Sequence, residues 1–367
     1  MDNELKLPFS ARTSLFFLGI LALFTILYLG RSIIIPLVFA FIIAIVLYPA
    51  VNFFVQKKMN RLLAITFTLL FAFSILVLFG AFLISQLSRF GDSWPLLVDK
   101  FTVMLNAVVA KASDYLNVEP KKIYEWITKA KGELVSSSSS VIGQTLVTVG
   151  SGLIVLFLIP VYVFIILYYQ PLLLEFIHRL FGKSNHNQVS EIVTEIKTTI
   201  QSYLKGLVIE AIIIAVLNST GLLILGIDYA ILLGIVGAVL NVIPYIGGII
   251  AVALPMMVAL VTKSTGWYAI YVLAIYYFIQ LIDNHYIVPK IVASKVKINA
   301  LFSIVVVLVG NALWGIPGMF LSIPLLAILK LIFDRIEPLK PWGFLLGDTM
   351  PPLKIKRIFK KDKVSHV

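Results

Sequence analysis

The chain has 367 residues, of which 60% are hydrophobic and 13% charged, with a formal net charge of +12. Soluble domains carry about 25% charged residues, so this balance excludes an ordinary soluble domain and points to an integral membrane protein. Cysteine is absent, which removes disulfides and thiolate metal sites, and His178, His186, His285 and His366 are too scattered for a histidine zinc site.

The first apolar run, 13–29, follows MDNELKLPFSAR without a small-residue cleavage site, so it reads as a retained span and not a signal peptide. A second run, 33–55, follows Gly30-Arg31, with Pro36 expected in its first helical turn, where proline is tolerated. Lys57, Lys58 and Arg61 form a basic loop before a third span, 62–87. A polar excursion, 88–144, comes next, and its acidic and basic residues nearly cancel. Leu97, Phe101, Met104, Leu105, Val108 and Val109 have helical spacing within it, which predicts an amphipathic packing or interfacial helix in preference to a lid. Five serines, 136–140, link it to a fourth span, 145–169, in which Pro160 predicts a kink.

A second excursion, 170–205, carries Ile192, Ile196, Ile200 and Leu204 at four-residue intervals, an amphipathic helix leading into the next span. Glu191 and Glu195 lie one turn apart on it and read as a solvated face. From 206 to 331 the chain is almost wholly apolar. It divides into a span at 206–225, a long segment at 229–262 broken at PYIGG, a span at 267–288, and a long segment at 301–333 broken at WGIPG. The organisation expected is thus 1–87 (three spans), 88–144 (extracytoplasmic excursion), 145–205 (fourth span and cytoplasmic helix), 206–336 (transport core) and 337–367 (basic cytoplasmic tail).

Each broken segment is either one long kinked span, giving eight crossings, or a re-entrant hairpin of two limbs. Limbs of about fifteen residues reach about 22 Å, short of a bilayer core of about 30 Å. Charge placement favours hairpins. With the N-terminus inside, eight simple spans would put Lys290, Lys295 and Lys297 outside, against the positive-inside rule, whereas two hairpins move them inside and only Lys263 out. The expected fold is therefore all-α and polytopic, with about six full spans plus two re-entrant helical hairpins. Paired Gly/Pro-interrupted segments in two inverted halves point to a transporter binding site.

ILLGIVGAVLNVIPYIGGIIAVALP, 231–255, resembles the signature of the autoinducer-2 exporter (AI-2E) family of bacterial transporters. QLIDNHYIVPKIVASKVKINALFSIVVVLVGNALWGIPGMFLSIPLLAILK, 280–330, does so too. The match is specific over 189–338 and architectural before it. The family often has proline where this chain has Gly248 and Ala300. The resemblance implies a multi-pass permease of the bacterial inner membrane and a homo-oligomer. It further implies export of a quorum-sensing furanone or another small molecule, or else sodium(lithium)/proton antiport.

Intramembrane polar residues are costly and therefore functional candidates. Asp283 and Asn284 are placed to bind a cation or exchange a proton, unless Asp283 pairs with Lys290 or Lys295 at the helix end. Glu210 is either a proton site or a side chain snorkelling to the headgroups, the second being preferred. Asp228 reads as a helix cap. Asn241 and Asn311 each precede a break and predict a shared tip-stabilising role. The tips themselves, Pro244, Tyr245, Gly247 and Gly248 in one and Trp314, Gly315, Pro317 and Gly318 in the other, are expected along the substrate or ion pathway.

No Walker A, G-x-S-x-G or H-E-x-x-H pattern occurs, so neither an enzyme nor ATP drive is expected, and no cofactor. The basic tail KIKRIFKKDK, 354–363, lacks RNA-binding aromatics and fits anionic lipid, not nucleic acid, as its partner. The reading is a permease exporting a small polar signalling molecule by alternating access. Sodium(lithium)/proton antiport and a non-transporting membrane scaffold are the alternatives.

Overall fold

The computed structural model describes residues 8–116, 158–180, 186–243, 247–292 and 297–350, with isolated positions between 123 and 132. The serine run, the first part of the fourth expected span, Pro244, Tyr245, Lys295 and the basic tail lie outside these residues. Among the described residues six helices are long and apolar enough to cross a membrane: Phe9–Leu29, Arg31–Gln56, Arg61–Ala110, Leu158–Leu180, Asn187–Ile224 and Ile316–Arg335. The protein is an all-α polytopic membrane protein. Among the described residues the one β-type pairing is an isolated bridge between Ile298 and Gly347.

Helix α1 (Phe9–Leu29) buries none of its residues, as expected of an apolar helix bathed in lipid. Helix α2 (Arg31–Gln56) starts two residues before the apolar run, which places Pro36 inside the helix and not in its first turn. Its buried Ala40 and Ala44 let neighbours come close. They pack with Ala64, Ile65 and Leu69 of α3 (Arg61–Leu116) and with Val163 and Leu167 of α4 (described over Leu158–Leu180). Small residues at such crossings allow the close contact that holds helices together in lipid, where no hydrophobic driving force acts. Arg61 crosses to α4, its guanidinium donating to the Leu167 carbonyl (2.7 Å) and to Gln170 Oε1 (3.1 Å). Helix α3 continues well past residue 87. Leu97 and Val98 on that extension are buried, and Ser93 shares a 2.7 Å hydrogen bond with Tyr229. This part of the excursion is thus a packing helix set against the helices that follow Gly206.

Helix α5 (His186–Ile224) joins the amphipathic stretch to its span without a break. Ile200 is fully buried, with Ile196 and Leu204 alongside, against Ile42, Ile45 and Leu321. A turn containing Gly226 and Tyr229, both with positive φ, leads into α6 (Ala230–Asn241), which runs back along α5. Then follow α7 (Gly247–Thr262) and α8 (Trp267–Ile282). The α-helical form stops at Ile282, short of the expected span end. The chain continues as a π-helix, Asp283–Val292, containing Pro289. Proline removes one backbone donor, and π-helical turns are found chiefly at functional sites.

Helices α9 (Ala300–Trp314) and α10 (Ile316–Arg335) complete the core, followed by a 3-10 turn and α11 (Lys340–Leu346). Asn299 fastens this end. Its Oδ1 accepts from the Phe302 N–H at 3.0 Å, while Nδ2 donates to the carbonyls of Leu345 (2.8 Å) and Gly347 (3.1 Å).

Both broken segments fold back on themselves. A Cβ on Gly237 would sit 3.6 Å from the Ala251 Cβ, which places α6 beside α7. A Cβ on Gly310 would run into the Gly318 carbonyl and lie 3.2 Å from the Ser322 Cβ, which places α9 beside α10. Helix α10, at 20 residues, exceeds the expected fifteen-residue limb, because nothing after Pro324 stops it before Arg335.

Candidate functional site

Asp283 is the most deeply buried charged residue described, 1% exposed at the start of the π-helix. Two elements fix its position. Helix α8 delivers it at the level where α6 ends, and α5 packs against the π-helix at Gly206, where a Cβ would lie 2.6 Å from the Ile291 carbonyl oxygen. Asn241 Nδ2 donates to Asp283 Oδ2 at 2.9 Å, and Gln280 Nε2 reaches the same oxygen at 3.4 Å. The other oxygen, Oδ1, is buried without a hydrogen-bond partner among the described residues. Nor does Asp283 form an ion pair there. Lys290 lies over the Tyr286 ring, 5.7 Å from its centroid, so the expected helix-end pair with Lys290 is not formed, and Lys295 is outside the described residues.

The first tip is built around this carboxylate. A Cβ on Gly247 would run into the Leu240 carbonyl, so only glycine lets α7 begin so close to the end of α6. A Cβ on Gly248 would sit 2.9 Å from Gln280 Oε1. Glycine at 248 therefore leaves room for the Gln280 side chain. Asn284, exposed, accepts from Gln280 Nε2 at 3.4 Å.

Glu210 does not snorkel outward. It is 6% exposed on α5, and its carboxylate interacts electrostatically with Asp283 and with the buried Tyr203. The reason lies in α5 itself, which begins at His186, so that Glu210 stands well inside the helix and not one turn from its start.

The two asparagines do not play matching parts. Asn241 is half-buried and engaged with Asp283, whereas the Asn311 side chain is exposed. The second tip is held by backbone and by Trp314. The Gly315 N–H donates to the Asn311 carbonyl at 2.8 Å, and Trp314 Nε1–H donates to the Leu27 carbonyl of α1 at 2.9 Å. Gly315 has φ 63° and ψ −143°, a conformation that side chains resist, and Pro317 occupies the first turn of α10. A Cβ on Gly318 would run into the Gly310 carbonyl. The structure thus gathers Asn241, Gly248 and Asp283, through Gln280, where α6 ends and α7 begins, and leaves Asn311, Trp314, Gly315, Pro317 and Gly318 as a separate turn.

Gln280 was not singled out by the sequence. Its signal is its place three residues before Asp283 on an apolar helix, which puts both on one face. Glu191 and Glu195 also turn out to be engaged. Arg335, at the end of α10, reaches Glu195 at 2.7 Å and Glu191 at 3.7 Å, and its carbonyl accepts from Gln188 at 3.0 Å. An open groove of about 540 Å3 lies here, lined by Glu191, Glu195, Arg335, Thr194 and Thr198. It is about four helical turns from Glu210 along α5 and apart from the carboxylates at the first tip.

Chemically, the first tip offers one pinned and one open carboxylate oxygen, amide groups, and a second carboxylate nearby, all in apolar packing. A cation or a proton is what such a site accepts. Among the described residues no cluster of three potential metal ligands occurs.

Comparison with known proteins agrees with this architecture. TqsA of Escherichia coli (strain K12), an AI-2 transport protein, is 24% identical over 326 residues, covering 87% of this chain and 90% of TqsA. YrrI of Bacillus subtilis (strain 168) is 24% identical over 306 residues, covering 82% of this chain and 86% of YrrI. YhhT of E. coli (strain K12) is 21% identical over 331 residues, covering 89% and 91% respectively. The model of the AI-2E family transporter matches residues 16–337, almost the whole helical part described above, and the chain therefore belongs to the AI-2E family of membrane transporters.

Proposed function

We propose that this transporter exports a small polar signalling molecule or metabolite by alternating access. In this reading the α6–α7 and α9–α10 pairs are re-entrant hairpins lining the route, in a homo-oligomer of the bacterial inner membrane with both termini cytoplasmic. One observation carries it: the carboxylate of Asp283 is buried in a largely apolar helix bundle, with the half-buried Asn241 and Gln280 donating to it. A carboxylate within a membrane span costs about 2.5–3.5 kcal/mol even by the mildest scale, so its retention there calls for a use. TqsA, by its name an AI-2 transport protein, supports a solute of that chemical class.

In this mechanism the two limbs of each hairpin move little against each other, since glycine contacts lock them. Access changes by movement of the tips against α5 and α8. Asn241 and Gln280 orient Asp283, and Glu210 is the second carboxylate within electrostatic reach.

That pairing of carboxylates favours a second reading, sodium(lithium)/proton antiport. Two acids near one another in an apolar bundle are suited to exchanging one cation for another. Purified protein in proteoliposomes separates the two. Efflux of a furanone solute that persists without any ion gradient supports the exporter. Sodium-driven proton flux that disappears in Asp283→Asn supports the antiporter. Cysteine labelling tests the topology, helped by a chain without native cysteines. Labelling at 263 only from inside and at 295 only from outside would sink the hairpins.

A further inference from the structure

We propose that Asn218 and Tyr276 form a second, uncharged polar station that holds water inside the core, next to the carboxylate site at the first tip. The inference deepens the reading of Asp283 as an ion site and rests on it for the station's role, though not for its existence.

Asn218 of α5 is 3% exposed and Tyr276 of α8 is 8% exposed. Asn218 Oδ1 and the Tyr276 hydroxyl are both buried without a hydrogen-bond partner among the described residues. Both side chains converge on one point. A Cβ on Gly237 of α6 would lie 3.3 Å from Asn218 Nδ2 and 3.3 Å from the Tyr276 hydroxyl oxygen. Gly237 thus lets both polar groups approach the α6 backbone, where a side chain would crowd them. The surroundings offer no alternative partner: Leu222, Leu233, Ala251 and Val258 belong to the same apolar cluster as Tyr276. Buried polar groups in native proteins are satisfied by protein or by ordered water, and here no described residue supplies the bond. An amide and a hydroxyl can each donate and accept, which suits water in either orientation.

The station is in register with the carboxylate site on all three helices. Asn218 lies eight residues from Glu210 on α5, Tyr276 seven from Asp283 on the α8 side, and Gly237 four from Asn241 on α6. Residues at such spacings share a helix face, so the station lies on the same faces as the carboxylates, one to two turns nearer the Gly226–Tyr229 turn. Gln280 stands between the two levels, one turn from Tyr276 and in contact with Asp283. Asp283 Oδ1 is likewise buried without a partner among the described residues. With no charge of its own, the station is suited to hydrate an ion or relay a proton on its way to Asp283, not to bind a cation.

Radiolytic hydroxyl-radical footprinting of the full-length wild-type protein tests this, because water bound beside a buried side chain raises its modification rate. Tyr276 is expected to be hydroxylated despite its burial, and Gly237→Ala, which places a methyl group among the polar atoms, to suppress that modification several-fold. In parallel, Asn218→Cys is expected to react with a small hydrophilic thiosulfonate, and Leu222→Cys, one turn along, to stay inert. An unmodified Tyr276 in the wild type, or modification unchanged by Gly237→Ala, overturns the station even if Asn218→Cys does not fold. Labelling needs no transport. A wet Tyr276 with flux unaffected by Asp283→Asn would keep the station and sink the ion site. A dry Tyr276 with flux lost in Asp283→Asn would sink the station alone.

Discussion

Asn241 and Gln280 both donate to Asp283 Oδ2, but at 2.9 Å and 3.4 Å, and this difference yields a ranked prediction. A hydrogen bond to a charged group contributes about 1.5–3 kcal/mol, and each 1.4 kcal/mol is tenfold, so losing a good one weakens the site by roughly 10- to 150-fold. Asn241→Leu keeps the volume and removes the donor that pins Oδ2 and leaves Oδ1 open. The sodium concentration giving half-maximal proton flux in proteoliposomes is expected to rise within that range. For Gln280→Leu the bond is at the limit of useful length and is shared with Asn284, so a rise of no more than about threefold is expected. The order is the test. If Gln280→Leu costs as much as Asn241→Leu, or if Asn241→Leu leaves the sodium dependence unchanged, Asn241 does not orient Asp283 and the first tip is not the ion site.

Four further outcomes follow from the packing. Gly318→Val drives a side chain into the Gly310 carbonyl at the α9–α10 crossing and is expected to cost about 1–3 kcal/mol, read as a lower thermal midpoint. Gly80→Ala on α3 has nothing within 4 Å of the new Cβ and is expected to be neutral or to stabilise by up to about 1 kcal/mol. Gly315→Ala likewise meets no atom within 4 Å, so the expected loss of about 1–3 kcal/mol is purely that of the backbone at φ 63°. Arg335→Ala separates the end of α10 from Glu195 and Glu191, and the resulting shift in thermal midpoint is expected to vanish in 1 M salt, where screening acts over about 3 Å.

Composition and apolar run length alone specified a polytopic all-α membrane protein, because only helices satisfy their own backbone groups along a span. The positions of the two breaks were equally legible. Proline and glycine interrupt helices by local chemistry, and the breaks at 244–248 and 314–318 need no knowledge of the rest of the chain. Asp283 stood out for the same kind of reason, as a carboxylate in an apolar run.

What surrounds Asp283 was decided elsewhere. Helical periodicity places a residue on a face but does not say which helix that face meets, so Asn241 and Asn311 looked equivalent from their spacing to the breaks. Packing against α8 gives Asn241 a carboxylate partner, while Asn311 points away from the core and its tip is held by backbone and by Trp314 against α1. Glu210 stands near the start of the apolar run at 206–225, which suggests snorkelling, whereas α5 runs unbroken from His186 and buries that position. Glu191 and Glu195 gained a use from an arginine more than a hundred residues away. Asn218, Tyr276 and Gly237 carry no local signal at all, since each is an ordinary residue of its own helix. Only the convergence of α5, α6 and α8 brings two unpartnered polar atoms to one glycine, and such a meeting is a property of tertiary packing that no stretch of one helix contains.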